Sequence, residues 1–278
     1  MLDVPRNIRR FSYGTLILGT LGMAVPLYVA IVGSTHLFQT LANGAPAWVG
    51  DQFIINYSHV LFNGLYDIPV LTMLFNSMVM ALGIAIGKIV ISFIGAFAIV
   101  FFRFPGRNFF FAIILMSLML PVEVRIFPTF HVVSQLGMLD SYLGLILPLT
   151  ASATAVFLFR QFFMTIPNEM IEAAEIDGAG PIRFMFDILL PLSRTNIAAL
   201  FVILFIFGWN QYLWPLLITS EEGMYTIVMG MRRAMNVAEL VPEWQIILPA
   251  AVLALLPPVI IILAMQRQFV KGLIEQEK

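Results

Sequence analysis

The sequence predicts an all-α protein that crosses a membrane six times, and three observations carry that prediction. The chain is 60% hydrophobic and only 11% charged, with a mean hydropathy of +0.93, a composition foreign to water-soluble domains. Its apolar stretches run about 20 residues, the length that spans a ~30 Å hydrocarbon core. The basic residues cluster in alternate connections between those stretches, the bias that orients a chain in a bilayer.

The first span is read at residues 11–33, with Pro26 set to kink it. Its opening, MLDVPRNIRRFSYGTLILGT, has the basic-then-apolar order of a signal peptide. The apolar part is about 23 residues long without a small-x-small cleavage site, so it reads as an uncleaved span. A connection over 34–70 holds Trp48, Asp51 and Asp67 and no Lys or Arg. The stretch 71–102 would be nearly 48 Å long as one helix, too long for one straight crossing. Asn76-Ser77 reads as an N-cap, leaving a short helix and then a span near 77–101. The third span, 108–133, is interrupted at Pro121 and Pro128. The fourth is 141–163, the fifth 196–218, and the sixth 245–266 with Pro257-Pro258 inside it. All of 1–278 is read as a single transmembrane domain.

With the N-terminus inside, the inner segments hold Arg6, Arg9, Arg10, Arg103, Arg107, Arg160, Arg183, Arg194, Arg267, Lys271 and Lys278, eleven of the 15 basic residues. The outer loops keep Arg232 and Arg233, and Lys88 and Arg125 fall within spans. The expectation is a multi-pass membrane protein with six crossings and both termini cytoplasmic. Splitting 71–102 into two spans would reverse everything downstream and spoil the pattern.

Residues 164–194 then form the longest internal loop. Four carboxylates (Glu169, Glu172, Glu175, Asp177) fall within nine residues of a chain poor in acids. Pro167-Asn168 supplies a helix start, Glu169 suits the positive end of the dipole, and Gly178 is a natural stop. Gly180-Pro181 opens a second short helix. Ala173 and Ala174 give a face without bulk where another surface could approach, and a mere interfacial connector fits these residues as well.

Glu172-Ala173-Ala174, three residues, Gly178, nine residues, then Ile188-x-Leu190-Pro191 resembles the EAA loop of ABC importer permeases at every defining position. The end, Gln266-Arg267-x-Phe269-Val270-x-Gly272-Leu273, is similar to that of the carbohydrate-type permeases, although their glycine-rich tail is replaced by IEQEK. The stretches LPVEVRIFP (120–128), ASATA (151–155), FLFRQFFMT (157–165) and GWNQYLWPL (208–216) look most like permeases of glycerol-phosphate importers. The resemblance covers nearly the whole chain and implies a type I ABC importer permease fold. It further implies that Glu172, Ala173, Ala174, Asp177, Gly178 and Pro191 couple the chain to a cytoplasmic ATPase dimer. A second permease, an external solute-binding protein and the lipid bilayer complete the implied partners. No cofactor is implied for this chain, because ATP and Mg would sit on the ATPase. The implied substrate is glycerol phosphate or a glycerophosphodiester, with a neutral sugar such as a disaccharide as the alternative.

An anionic polyol phosphate calls for a cation at depth with polar groups beside it. Arg125, about 25 Å along the third span, is the first candidate. Glu123 lies about 200° round the same helix, so the two cannot pair along it. Each serves either the route or a helix contact. Lys88 interrupts the second span inside GIAIGKIVIS, facing either a subunit interface or a wet cavity. Three residues, not four, separate Gly83 from Gly87-Lys88, and Ile89 follows where Ser or Thr is needed, so this is no Walker A loop. Asn210 and Gln211, flanked by Trp209, Tyr212 and Trp214, suit polyol recognition, whereas an outer aromatic belt explains the rings equally well. The run Thr150–Ala155 reads as a close helix contact.

Other classes fare worse. Net charge is −1, which gives no field for nucleic acid. There is no cysteine, and His36, His59 and His131 lack ligand spacing, so no metal site is expected. No Ser/His, paired-carboxylate or metal-ligand constellation supports an intramembrane enzyme. An ion-coupled secondary transporter would show internal repeats and midplane carboxylates, and would leave the EAA loop without a task.

Overall fold

The computed structural model describes residues 6–65, 68–119, 122–235 and 242–275, without the side chains of 6, 7, 122, 123 and 268–275. Helix α1 (Arg6–Gly33) runs through Pro26, and α2 (Phe38–Ala42) and α3 (Phe53–Phe62) occupy the following connection. Helix α4 (Val70–Phe101) is unbroken for 32 residues. The third span is α5 (Arg107–Met116), a 3-10 turn to Met119, and α6 (Val122–Gln135). The fourth is α7 (Tyr142–Ile146), a second 3-10 turn and α8 (Ala153–Phe163), bent by 49°. Next come α9 (Asn168–Ile176) and α10 (Pro181–Arg183), which passes through a π-helical turn, Phe184–Leu189, into α11 (Leu190–Leu192). Helices α12 (Arg194–Trp209), α13 (Leu213–Ile218), α14 (Ile227–Met235) and α15 (Trp244–Glu275) complete the chain.

Among the described residues, three helices are long and apolar enough to cross a membrane, Ile8–Gly33, Val70–Phe101 and Trp244–Arg267, and the number rises to six if each of three bent pairs is one span. The chain divides into two compact units, residues 1–72 with 230–256 and residues 73–229 with 257–278.

In the first unit, the connection after α1 is held by its own polar groups. The Asn56 amide donates to the carbonyls of Ser34 and His36, both at 3.0 Å, and Gly50 N–H donates to Thr35 Oγ1 at 2.7 Å. Gly64 takes φ +82° in a turn so tight that a Cβ would strike the Ile68 carbonyl.

The second unit is organised on a smooth face of α4. A Cβ on Gly83 would come within 2.6 Å of Ile146 Cδ1, and one on Gly87 within 2.6 Å of Thr150 Cγ2. Spaced four apart, these glycines let the fourth span lie directly on the α4 backbone. Gly208 does the same for α12, where a Cβ would sit 2.9 Å from Ala81 Cα. Further along α4, Phe93 meets Phe159 and Phe163 edge-on, with ring centroids 5.3 and 5.1 Å apart, an orientation aromatic quadrupoles favour.

Several expectations need correction. Asn76 and Ser77 cap nothing. Asn76 Nδ2 donates to the carbonyls of Gly223 (2.7 Å) and Tyr225 (3.0 Å), its Oδ1 accepts from Tyr142 OH at 2.6 Å, and Ser77 Oγ accepts from Ile227 N–H at 2.8 Å. These buried amide and hydroxyl groups tie down a distant loop, and α4 simply continues. Pro128 lies inside α6 without ending it, and the expected break at Pro121 falls outside the described residues. The expected fifth span ends early, since α12 stops at Trp209 and α13 follows only after a break at 210–212. The expected small-residue contact holds: Thr150 abuts Gly87, and Ala155 is fully buried.

If the Gly87–Thr150 contact is as close as the backbone places it, Gly87→Ala lowers the thermal unfolding midpoint in detergent. The cost is about 1–3 kcal/mol for the overpacked methyl. Adding Thr150→Ser, which removes the opposing methyl, restores part of the loss; an unchanged midpoint in the single variant would refute the contact.

Candidate functional site

A cavity of about 490 Å³ opens between α4, α6, the turn at 148–151 and the α12–α13 break. Lys88, Arg125, Thr129, Phe207, Gln211 and Tyr212 are among its walls, and no carboxylate lines it among the described residues. Lys88 arrives there because it follows Gly87. The glycine turns toward Thr150, and the next residue along points about 100° round the helix into the open space. Lys88 is 7% exposed, and its Nζ stands 3.8 Å from the centroid of the Phe207 ring. Such a cation–π contact contributes about 0.5–2 kcal/mol, the upper end when desolvated. Arg125 stands in the wall of the same cavity.

The remaining walls follow from helical periodicity. Thr129 lies four residues after Arg125 on α6, and its hydroxyl donates to the Arg125 carbonyl at 2.7 Å. Gln211 lies four after Phe207, and its Nε2 donates to the Phe207 carbonyl at 3.1 Å. Trp214 also lines the cavity, with its indole N–H fixed on the Gly144 carbonyl at 3.1 Å.

Of the expected route residues, Lys88, Arg125 and Gln211 therefore share one space. Trp209 does not belong to it. Its ring is 3% exposed and stacks on Phe205 at 5.7 Å between centroids. Neither Trp209 nor Trp214 can serve in an aromatic belt, because both are buried in the chain itself. Asn210 is exposed at the C-cap of α12 and is absent from the cavity wall. The side chain of Glu123 lies outside the described residues. Because the helix ending at Met119 and the one carrying Arg125 are bent by 107° from each other, the depth reckoned for Arg125 along one straight helix does not apply. Phe207 and Thr129 were missed from sequence, although each sits one turn from a residue already singled out.

The acidic loop forms a second candidate surface. Helix α9 ends at Asp177, and Gly178 follows with φ +71° and open space around it. The glycine is needed for backbone conformation rather than for room. Glu172, Ala173, Asp177 and an 86%-exposed Ile176 face outward. The two alanines do not share a face. Ala174 is 5% exposed and lines a cavity of about 240 Å³ together with Phe101, Arg103 and Phe184. The smooth patch expected for an approaching partner is therefore half taken up by the chain's own core. Phe184 packs edge-on against Phe101 at 5.3 Å, joining this loop to the last turn of α4. Pro191 is half-buried in the short helix that leads to α12.

Apolar helices long enough to cross a membrane, together with a cavity lined by two cations, fit a membrane transport subunit. The chain belongs to the family of binding-protein-dependent transport system inner membrane components, whose model matches residues 88–275. Among its relatives are proteins named sn-glycerol-3-phosphate transport system permease protein UgpE. The one from Brucella melitensis is 55% identical over 267 residues, 95% of each chain. Those from Agrobacterium fabrum and Yersinia enterocolitica are 54% and 53% identical over the full length of both chains. In fold the chain matches a subunit of a bacterial ABC transporter involved in the import of the acidic polysaccharide alginate. The TM-score is 0.83 at 20% identity, covering 97% of this chain and 100% of the other.

The Lys88–Phe207 contact is measurable as a coupling. Phe207→Leu keeps the bulk but removes the ring face, and should cost about 1 kcal/mol of stability in the native background. In a Lys88→Met background the same change should cost clearly less; equal losses in both would mean that the ring does not hold the ammonium.

Proposed function

We propose that this chain is a permease subunit of an ATP-driven importer that carries sn-glycerol-3-phosphate into the cell. The observation that carries the reading is the agreement between two independent lines. Relatives more than half identical over essentially the whole chain are named for this substrate, and a cavity in this chain is lined by two cations, Lys88 and Arg125. The chain itself performs no hydrolysis in this scheme. It sits in the inner membrane with both termini in the cytoplasm, as the basic residues argue.

In that orientation α9 and the turn at Gly178 face the cytoplasm, where an ATPase dimer would receive them. Ile176 supplies an apolar side chain for its cleft and Glu172 and Asp177 flank it, a mixture that suits a protein partner better than water alone. A second permease completes the pore against the outward apolar faces of this one, and an external binding protein delivers the substrate. Closure of the ATPase dimer would then push on α9, and through the Phe184–Phe101 contact on the end of α4.

Proteoliposomes holding the whole complex should take up sn-glycerol-3-phosphate only with ATP and the binding protein present. Unlabelled substrate or a glycerophosphodiester should compete and maltose should not. Uptake driven by a proton gradient without ATP, or full competition by maltose, would overturn the reading. Gly178→Val forces a β-branched residue into a left-handed conformation. It should cut uptake by about tenfold or more and abolish the stimulation of ATP hydrolysis by loaded binding protein. Undiminished stimulation would remove the coupling role of the turn.

A further inference from the structure

We propose that the Lys88–Arg125 cavity binds the anionic group of the transported molecule during passage, as a subsite for a phosphate ester within this subunit. The inference rests on the importer reading above and deepens it, because the carrying of a phosphate ester does not require that this chain hold it. Three features point to this place. Lys88 lies about 4 Å along the axis from the middle of α4, a depth at which an ionisable residue marks a route or a protein-lined polar space. Its ammonium rests on the face of Phe207, a weak counterpart compared with a phosphate oxygen. Arg125 brings a second positive charge to the same space, and among the described residues no acid stands in the wall to neutralise either.

The volume, about 490 Å³, falls within the range of small-ligand pockets. Gln211 and Thr129 stand beside the cations with an amide and a hydroxyl, groups suited to the hydroxyls of a polyol. The arrangement divides the labour: Arg125, an exposed side chain with a planar fork, meets the anion first. Lys88 then leaves its ring for a phosphate oxygen, and the anion moves on when the cavity changes shape. No covalent step is involved.

The absence of cysteine from the chain makes the cavity accessible to a direct test. Thr129→Cys places a single thiol of this subunit in its wall. In the assembled importer, an anionic methanethiosulfonate should label that thiol roughly tenfold faster than a cationic one, since two fixed charges concentrate anions locally. Saturating sn-glycerol-3-phosphate should slow the labelling. Lys88→Met and Arg125→Gln, each combined with Thr129→Cys, should remove both the preference and the protection, while Lys88→Arg keeps them. Should Lys88→Met fail to assemble, the exposed Arg125→Gln carries the same test. A complex that imports sn-glycerol-3-phosphate but shows neither charge preference nor protection would overturn the subsite and leave the importer reading standing. A complex that imports no phosphate ester, yet is protected by inorganic phosphate, would overturn the importer reading and keep the anion site.

Discussion

The second unit depends on how closely α4 lets other helices approach. Gly83 and Gly87 remove side-chain bulk from one stripe, and the fourth span settles onto the bare backbone, with Ile146 and Thr150 filling the space. In a bilayer, where apolar side chains gain little from leaving lipid for protein, such close van der Waals contact is a main source of helix association. The same seam decides where Lys88 points. A charged side chain next to a glycine that faces a neighbour is carried round the helix out of the seam, here into the cavity that Arg125 also lines.

One helix thus serves two ends of the molecule. Near its middle it holds the cation that lines the cavity, and at its last turn Phe101 packs on Phe184 of the acidic loop. Between them Phe93 interlocks with Phe159 and Phe163. Through the Phe101–Phe163 contact, with centroids 5.9 Å apart, these rings form one continuous series along α4. These contacts are the ones through which the proposed push on α9 would reach α4. The polar tie at the other end has a related effect. Asn76, Ser77 and Tyr142 hold the loop at 223–227 against α4, so that end of the helix is anchored.

Much of this was legible in the sequence, and the exceptions have physical causes. The loop 164–194 was read correctly as helix, glycine turn and second helix, because Pro167, Gly178 and Pro181 are local signals that tertiary contacts seldom override. The small-residue run at 150–155 was legible for the same reason. Asn76 and Ser77 misled because a helix cap and a side-chain clasp to a remote loop use the same residues, and only the partner tells them apart. Trp209 and Trp214 misled because composition places tryptophan at interfaces while packing placed these two inside. The pairing of Lys88 with Phe207, 119 positions apart in the chain, could not be read without the fold.

The most direct measurement is a structure of the assembled complex with sn-glycerol-3-phosphate trapped in transit. The account predicts phosphate density between Lys88 Nζ and the Arg125 guanidinium, with the segment 168–191 seated on the ATPase. A phosphate lodged wholly in another subunit, or a loop that touches no neighbouring protein, would contradict it.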